Sequence, residues 1–164
     1  MKQLTSFVAL LTAAVAGGQT PPRLSSGLEL KVPVGWEGTE MKEAAALKPP
    51  YYSPKEELYL VKLEPGVDTK DPKVFESIEA RYFPAGVLAG ASAVTPFKPL
   101  KGFGYSRSLD FAENGQPARV RLYVIAFSGG AAVVFAAGKR DLISNREAAL
   151  REIADRVAVG KTRA

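Results

Sequence analysis

The sequence predicts an α+β fold in which an antiparallel sheet carries a helix on each face. Three observations lead there. Residues 94–138 read as strands joined by tight turns, with Asn114-Gly115 and Gly129-Gly130 as turn dipeptides. Two of the strands so defined are apolar on both faces, and neither face is compatible with open water. Two amphipathic helical segments flank that stretch, one before it and one after it. Placing one on each face covers both.

The chain has 164 residues, 46% hydrophobic and 24% charged, which suits one globular domain. It opens MKQLTSFVALLTAAVA: one lysine, an uncharged apolar run, then Ala14-Val15-Ala16. This is the three-part pattern of a secretory signal with a small-x-small cleavage site. The run is shorter than the roughly 20 residues a comfortable membrane span needs. A buried N-terminal helix is the competing reading. The run is apolar all round, however, and gives way at once to GGQTPPRLSSG. The expected division is a signal peptide at 1–16, a flexible mature N-terminus at 17–26, one domain at 27–160 and a polar tail at 161–164. The mature protein is expected in the periplasm or outside the cell, with no stable membrane span.

Cysteine and histidine are both absent. Disulfides and a lipid-anchoring cysteine are therefore not expected. A Ser-His or Cys-His pair cannot form within the chain, and zinc sites of the usual composition have no ligands. Glu56-Glu57 and Asp68/Asp71 are the nearest approach to acidic pairs, and surface loops account for them. Neither a metal nor a cofactor is expected. The formal charge is +5, spread along the chain. It favours anionic surfaces in a general way, but no basic stripe with interleaved aromatics suggests nucleic acid.

The elements follow in order. Leu28, Leu30 and Val32 alternate with Glu29 and Lys31, the pattern of a half-buried strand, and Pro33 stops it. Residues 39–48 contain helix formers between a turn and Pro49-Pro50; the reading is an irregular strand. Tyr51-Tyr52-Ser53-Pro54 reads as an exposed loop, and LYLVKLE as a second clear strand. Asp71-Pro72 starts a helix whose apolar face is Phe75, Ile78 and Tyr82.

In the first hairpin of the meander, Glu113 paired with Gln116 sets Leu109 against Val120, Arg107 against Leu122 and Asp110 against Arg119. In the second, Ser128 paired with Ala131 sets Val124 against Phe135 and Ile125 against Val134. The last helix is expected to start at a capping box, Ser144-x-x-Glu147, with Ala149, Leu150, Ile153 and Val157 facing inward. Gly160 ends it.

The order of elements, opened by GLELKVPVGW and continued by SRSLDFAENGQPARVRLYVIAFSGGAAVVFAAG, resembles the PsbP-like superfamily over about residues 27–158. That group includes the extrinsic photosystem subunit, Mog-type Ran-binding import factors and DcrB-like bacterial envelope proteins. The resemblance implies a three-layer α/β/α sandwich around an antiparallel sheet. It also implies a non-enzymatic role, usually binding or assisting another protein. The secretion signal argues against nuclear transport.

Four residues are candidates for contact with a partner protein of the cell envelope. Trp36, placed by the Pro33-Val34-Gly35 turn, is either an interface anchor or a plug where the first strand meets the core; the fixed turn favours the plug. Tyr51 and Tyr52, on a loop stiffened by prolines, are able to bind peptides or sugars unless one ring tucks against the sheet. Arg107 shares a face with Tyr105, Leu109 and Phe111, where a charge needs a partner or an edge position. The alternative to protein binding is a small-molecule or lipid-binding module with an apolar pocket between sheet and helix.

Overall fold

The computed structural model describes residues 28–41, 44–65, 73–83, 92–128 and 130–159. The signal segment, the N-terminal stretch 17–26, the helix start at Asp71-Pro72, Gly160 and the tail lie outside these described residues. In chain order the elements are β1 (Leu28–Glu29), β2 (Glu37–Met41), β3 (Ala44–Lys48), β4 (Glu57–Pro65), α1 (Lys73–Tyr82), β5 (Thr95–Phe97), β6 (Phe103–Glu113), β7 (Gln116–Phe127), β8 (Gly130–Lys139), α2 (Arg140–Asn145), α3 (Glu147–Arg156) and β9 (Ala158–Val159).

Seven of these strands form one antiparallel sheet in the order β2-β3-β4-β8-β7-β6-β5. The two longest-range strands, β4 and β8, meet at its centre, and β8 is buried along nearly all its length. Its inner stretch, AAVVFAA at 131–137, has no polar side chain and is fit only for a strand covered on both sides. One face, with Tyr59, Val61, Tyr123, Ile125 and Val134, packs beneath Ile143, Leu150 and Ile153 of the C-terminal helical pair and Val157 just after it. The other, with Leu58, Leu122, Val124, Val133 and Phe135, packs beneath Ile78 of α1 and Phe83 just after it. Ile78 is fully buried, and that alone stabilises the docked helix by about 2 kcal/mol. The protein is thus an α/β/α sandwich around an antiparallel sheet, as the sequence predicts.

The first hairpin has the predicted register, with Glu113 opposite Gln116, Asp110 opposite Arg119 and Leu109 opposite Val120. Asn114 and Gly115 both take positive φ, 49° and 76°, as the tight turn requires. The second hairpin differs. Phe127 pairs with Gly130, which sets Val124 opposite Val133 and Ile125 opposite Ala132. The connection is centred on residues 128–129 rather than 129–130. The correction is two residues, so every side chain keeps its face and the two-sided burial is unaffected.

Other expectations change more. Residues 28–32 do not join the main sheet. Only Leu28 and Glu29 pair, and their partners are Val159 and Ala158 at the far end of the chain. Leu30 is buried and Val32 packs on the core beyond that short ladder. The supposed irregular strand at 39–48 lies in two paired strands, with Glu37 opposite Lys48 and Met41 opposite Ala44. Helix-forming Ala44, Ala45, Ala46 and Leu47 are held extended here by pairing to β4, a case of tertiary context overriding propensity.

The capping box is absent. Ser144 sits inside α2, Arg146 occupies the cap position of α3, and no side chain caps it. The Ser144 hydroxyl accepts from Arg119 (2.9 Å) and the Glu147 carboxylate from Arg121 (2.7 Å). The sheet thus recruits both groups that the box would have used.

Candidate functional site

Pro33-Val34-Gly35-Trp36 closes on itself: the Trp36 amide donates to the Pro33 carbonyl at 3.1 Å, and Gly35 has φ +82°. Glycine in the third place with positive φ is the type II pattern. The turn lies against the next loop, since a Cβ on Gly35 would come 3.2 Å from Pro50 Cγ. Trp36 turns inward, half-buried, with its ring edge-on to Tyr59 at 5.2 Å between centroids. The geometry agrees with the structural role that the sequence favours for it.

The neighbouring loop is tied down beneath. Ser53 O accepts from the amides of Glu56 and Glu57, both at 3.0 Å. Glu57, 3% exposed, receives the Ser53 amide on one oxygen (2.9 Å) and the Tyr59 hydroxyl on the other (2.6 Å). Burial, then the Glu57 hydrogen bond and charge, push the Tyr59 phenol well above its ordinary range. Burial and the Glu57 charge also raise that of Tyr52, which packs on the core as the tucked ring of the pair. Arg146, from the break between α2 and α3, donates to the Pro50 carbonyl at 2.8 Å. Glu56 pairs with Lys139 at the end of β8.

On this fixed base two side chains point away from the molecule. Val34 is 102% exposed and Tyr51 99%. Tyr51 also holds φ 60°, a conformation unfavourable to a bulky side chain. The structure therefore brings the loops of Trp36, Tyr51 and Tyr52 into one corner, at the end of the sheet where β4 begins and β8 ends. Tyr51 is the residue that the corner displays.

Arg107 is elsewhere, on the opposite face. Its Nη1 donates to both oxygens of Glu79 on α1, at 3.0 and 2.9 Å, and its Nε donates to the Ser92 carbonyl at 2.8 Å. Glu79 is 2% exposed. The arginine that looked anomalous in the strand pattern is thus the counter-ion of a buried carboxylate. Nothing in the sequence of α1 singled out Glu79, whose place on the apolar side shows only when Ile78 is set as the centre of that face.

A cleft of about 270 Å³ lies on the other face, lined by Ser108, Arg119, Arg121, Ser144 and Glu147. Arg119 grips Asp110 with two nitrogens (2.6 and 2.9 Å) and, through that hydrogen bond, holds the Asp110 carboxyl below its usual range. Arg121 donates to Glu147 and to the Tyr123 hydroxyl, 3.2 Å away. Both guanidinium groups are already paired, so the cleft offers no free charge. Among the described residues no cluster of three acidic or other ligating side chains is placed to hold a metal ion.

No protein-family model matches the chain, and no curated protein matches it by sequence. Solved structures do. The antiparallel sheet covered by helices is consistent with a PsbP-like fold. Cyanobacterial PsbP (CyanoP) from Synechocystis sp. PCC 6803 superposes with a TM-score of 0.58 at 11% identity, over 90% of this chain and 98% of that one. A crystal structure from Bacteroides thetaiotaomicron VPI-5482 gives a TM-score of 0.57 at 14% identity over 83% of this chain. The chain spans 46% of that longer protein. LpqN of Mycobacterium tuberculosis, described as involved in cell envelope biogenesis, gives 0.49 at 14% identity over 81% of this chain and 83% of its own. At these identities the likeness is one of fold.

Proposed function

We propose that this protein is an exported, non-catalytic PsbP-like domain that docks a protein partner of the cell envelope through the Val34–Tyr51 corner. One observation carries the reading: a valine and a tyrosine stand fully exposed on adjacent turns whose bases are locked by Pro50, Glu57 and Arg146. A rigid aromatic displayed at low entropic cost is what an interface anchor needs. The signal-like segment 1–16 supports export, and the lack of histidine and cysteine supports a binding role over a catalytic one. In this reading Trp36 and Tyr52 buttress the corner from below, and Arg107 takes no part.

The test is site-specific photocrosslinking in the native host, with p-benzoylphenylalanine in place of Tyr51. A discrete adduct is expected, lost when Val34→Asp is added and absent when the probe replaces Asn114. No adduct from position 51, or the same adduct from position 114, overturns the assignment.

A further inference from the structure

The end of the sheet opposite the Tyr51 corner carries a second exposed apolar group of a different character. There the β5–β6 hairpin is closed by Lys98-Pro99-Leu100-Lys101-Gly102, with Gly104 opposite Phe97 at its foot. Leu100 at the tip is 77% exposed, and Phe103, where β6 begins, is 48% exposed. Lys98 and Lys101 flank Leu100, both exposed, and neither has an ion-pair partner among the described residues.

The tip is held, not loose. The Leu100 amide donates to the Asp155 carbonyl at 2.7 Å, and Pro99 is buried. Gly102 takes φ +82° so close to β7 that a Cβ would lie 2.1 Å from the Ala126 carbonyl oxygen. The Phe103 ring is braced edge-on against Tyr105 at 4.9 Å. An anchored loop that holds a leucine in water between two unpaired lysines, with a phenylalanine two residues on, matches a surface apolar within and anionic at its rim.

We propose that residues 98–103 form a docking loop for anionic phospholipid, with Leu100 and Phe103 entering the acyl boundary and Lys98 and Lys101 meeting the headgroups. The two lysines suit such a rim, because their stems can lie along apolar surface while the ammonium stays in the headgroup layer. The Tyr51 corner then faces away from the bilayer. The inference does not depend on that corner having a partner.

The chain has no cysteine, so Leu100→Cys and Asn114→Cys each provide a single labelling position for the polarity-sensitive nitrobenzoxadiazole dye on the full chain. The dye at position 100 is expected to brighten and shift to the blue with vesicles of phosphatidylcholine containing about 30% phosphatidylglycerol, and not with phosphatidylcholine alone. At position 114 it is expected to stay unchanged. In the position-100 protein, Lys98→Gln with Lys101→Gln should raise the lipid concentration for half-maximal response by roughly thirtyfold, at about fivefold per lysine. These surface changes leave the fold intact, which far-ultraviolet circular dichroism checks. Silence at position 100 on anionic vesicles, an equal response at position 114, or indifference to the two lysine changes would each overturn the proposal.

Discussion

Arg107 reaches across from β6 and holds both carboxylate oxygens of Glu79 with one guanidinium nitrogen, so that α1 is fastened to the sheet by charge as well as by Ile78. Removing one member of such a pair strands the other in a site that water scarcely reaches. Arg107→Ala is expected to cost about 3 kcal/mol in a urea titration, and Arg107→Met combined with Glu79→Leu to recover most of that loss. A double variant as unstable as the single one would show that the pair itself, and not the stranded carboxylate, governs the cost.

Trp36 closes the core beside Tyr59. Because its ring is only half-buried, Trp36→Ala should destabilise by about 2 kcal/mol, below the range for a fully buried tryptophan. Thermal unfolding followed by circular dichroism reads this directly. An unchanged melting temperature would move Trp36 from the core to the binding surface.

Gly102 and Gly115 share a left-handed backbone and differ in surroundings. An added methyl at Gly115 meets nothing within 4 Å, whereas at Gly102 it meets the Ala126 carbonyl. Gly115→Ala should therefore cost about 1 kcal/mol, the backbone penalty alone. Gly102→Ala should cost at least twice as much, because β7 must yield as well. Paired denaturant titrations decide it, and equal costs would mean that the hairpin base gives way freely.

Alkali provides a fourth measurement. Burial pushes the phenols of Tyr59, Tyr82 and Tyr123 upward, that of Tyr123 to about 12. Each is protonated in the folded state at a pH where the unfolded chain, with phenols near 10.0, has begun to lose its protons. Their contribution is whole below pH 10 and declines as pH rises through the Tyr123 value near 12. Stability should fall steeply over that interval. Late tyrosinate absorbance at 295 nm should coincide with the unfolding seen by Trp36 fluorescence, and Tyr123→Phe should make the fall shallower. Full tyrosinate formation ahead of unfolding would contradict the burial of these rings.

Much of the fold is legible in the chain because its strongest signals are local. Asn114-Gly115 determines the β6–β7 register through turn chemistry, and the apolar doublet Val124-Ile125 declares that both faces are covered. The errors arise where a distant segment decides. Two adjacent glycines at 129–130 do not say which pair of positions turns. Nothing local in Ala44–Lys48 reveals that β4 will hold it extended, and nothing in Ser144 or Glu147 reveals that Arg119 and Arg121 will claim them.

The candidate corner follows the same division. Pro33-x-Gly35-Trp36 and the tyrosine loop are visible separately, but their union rests on the fit of Gly35 against Pro50. Arg107 stood out in the strand pattern because its counter-ion, Glu79, lies on a helix 28 positions away.

The short ladder between β1 and β9 sets Leu28 opposite Val159. Two Cα atoms facing each other across antiparallel strands are only about 5 Å apart, so a linker of a few residues joins them without strain. The domain is in effect a ring that happens to be cut there. Its linear order can be moved: a circular permutant with new ends between Asn114 and Gly115 should keep the sheet, and so should a version spliced whole into a loop of a host protein.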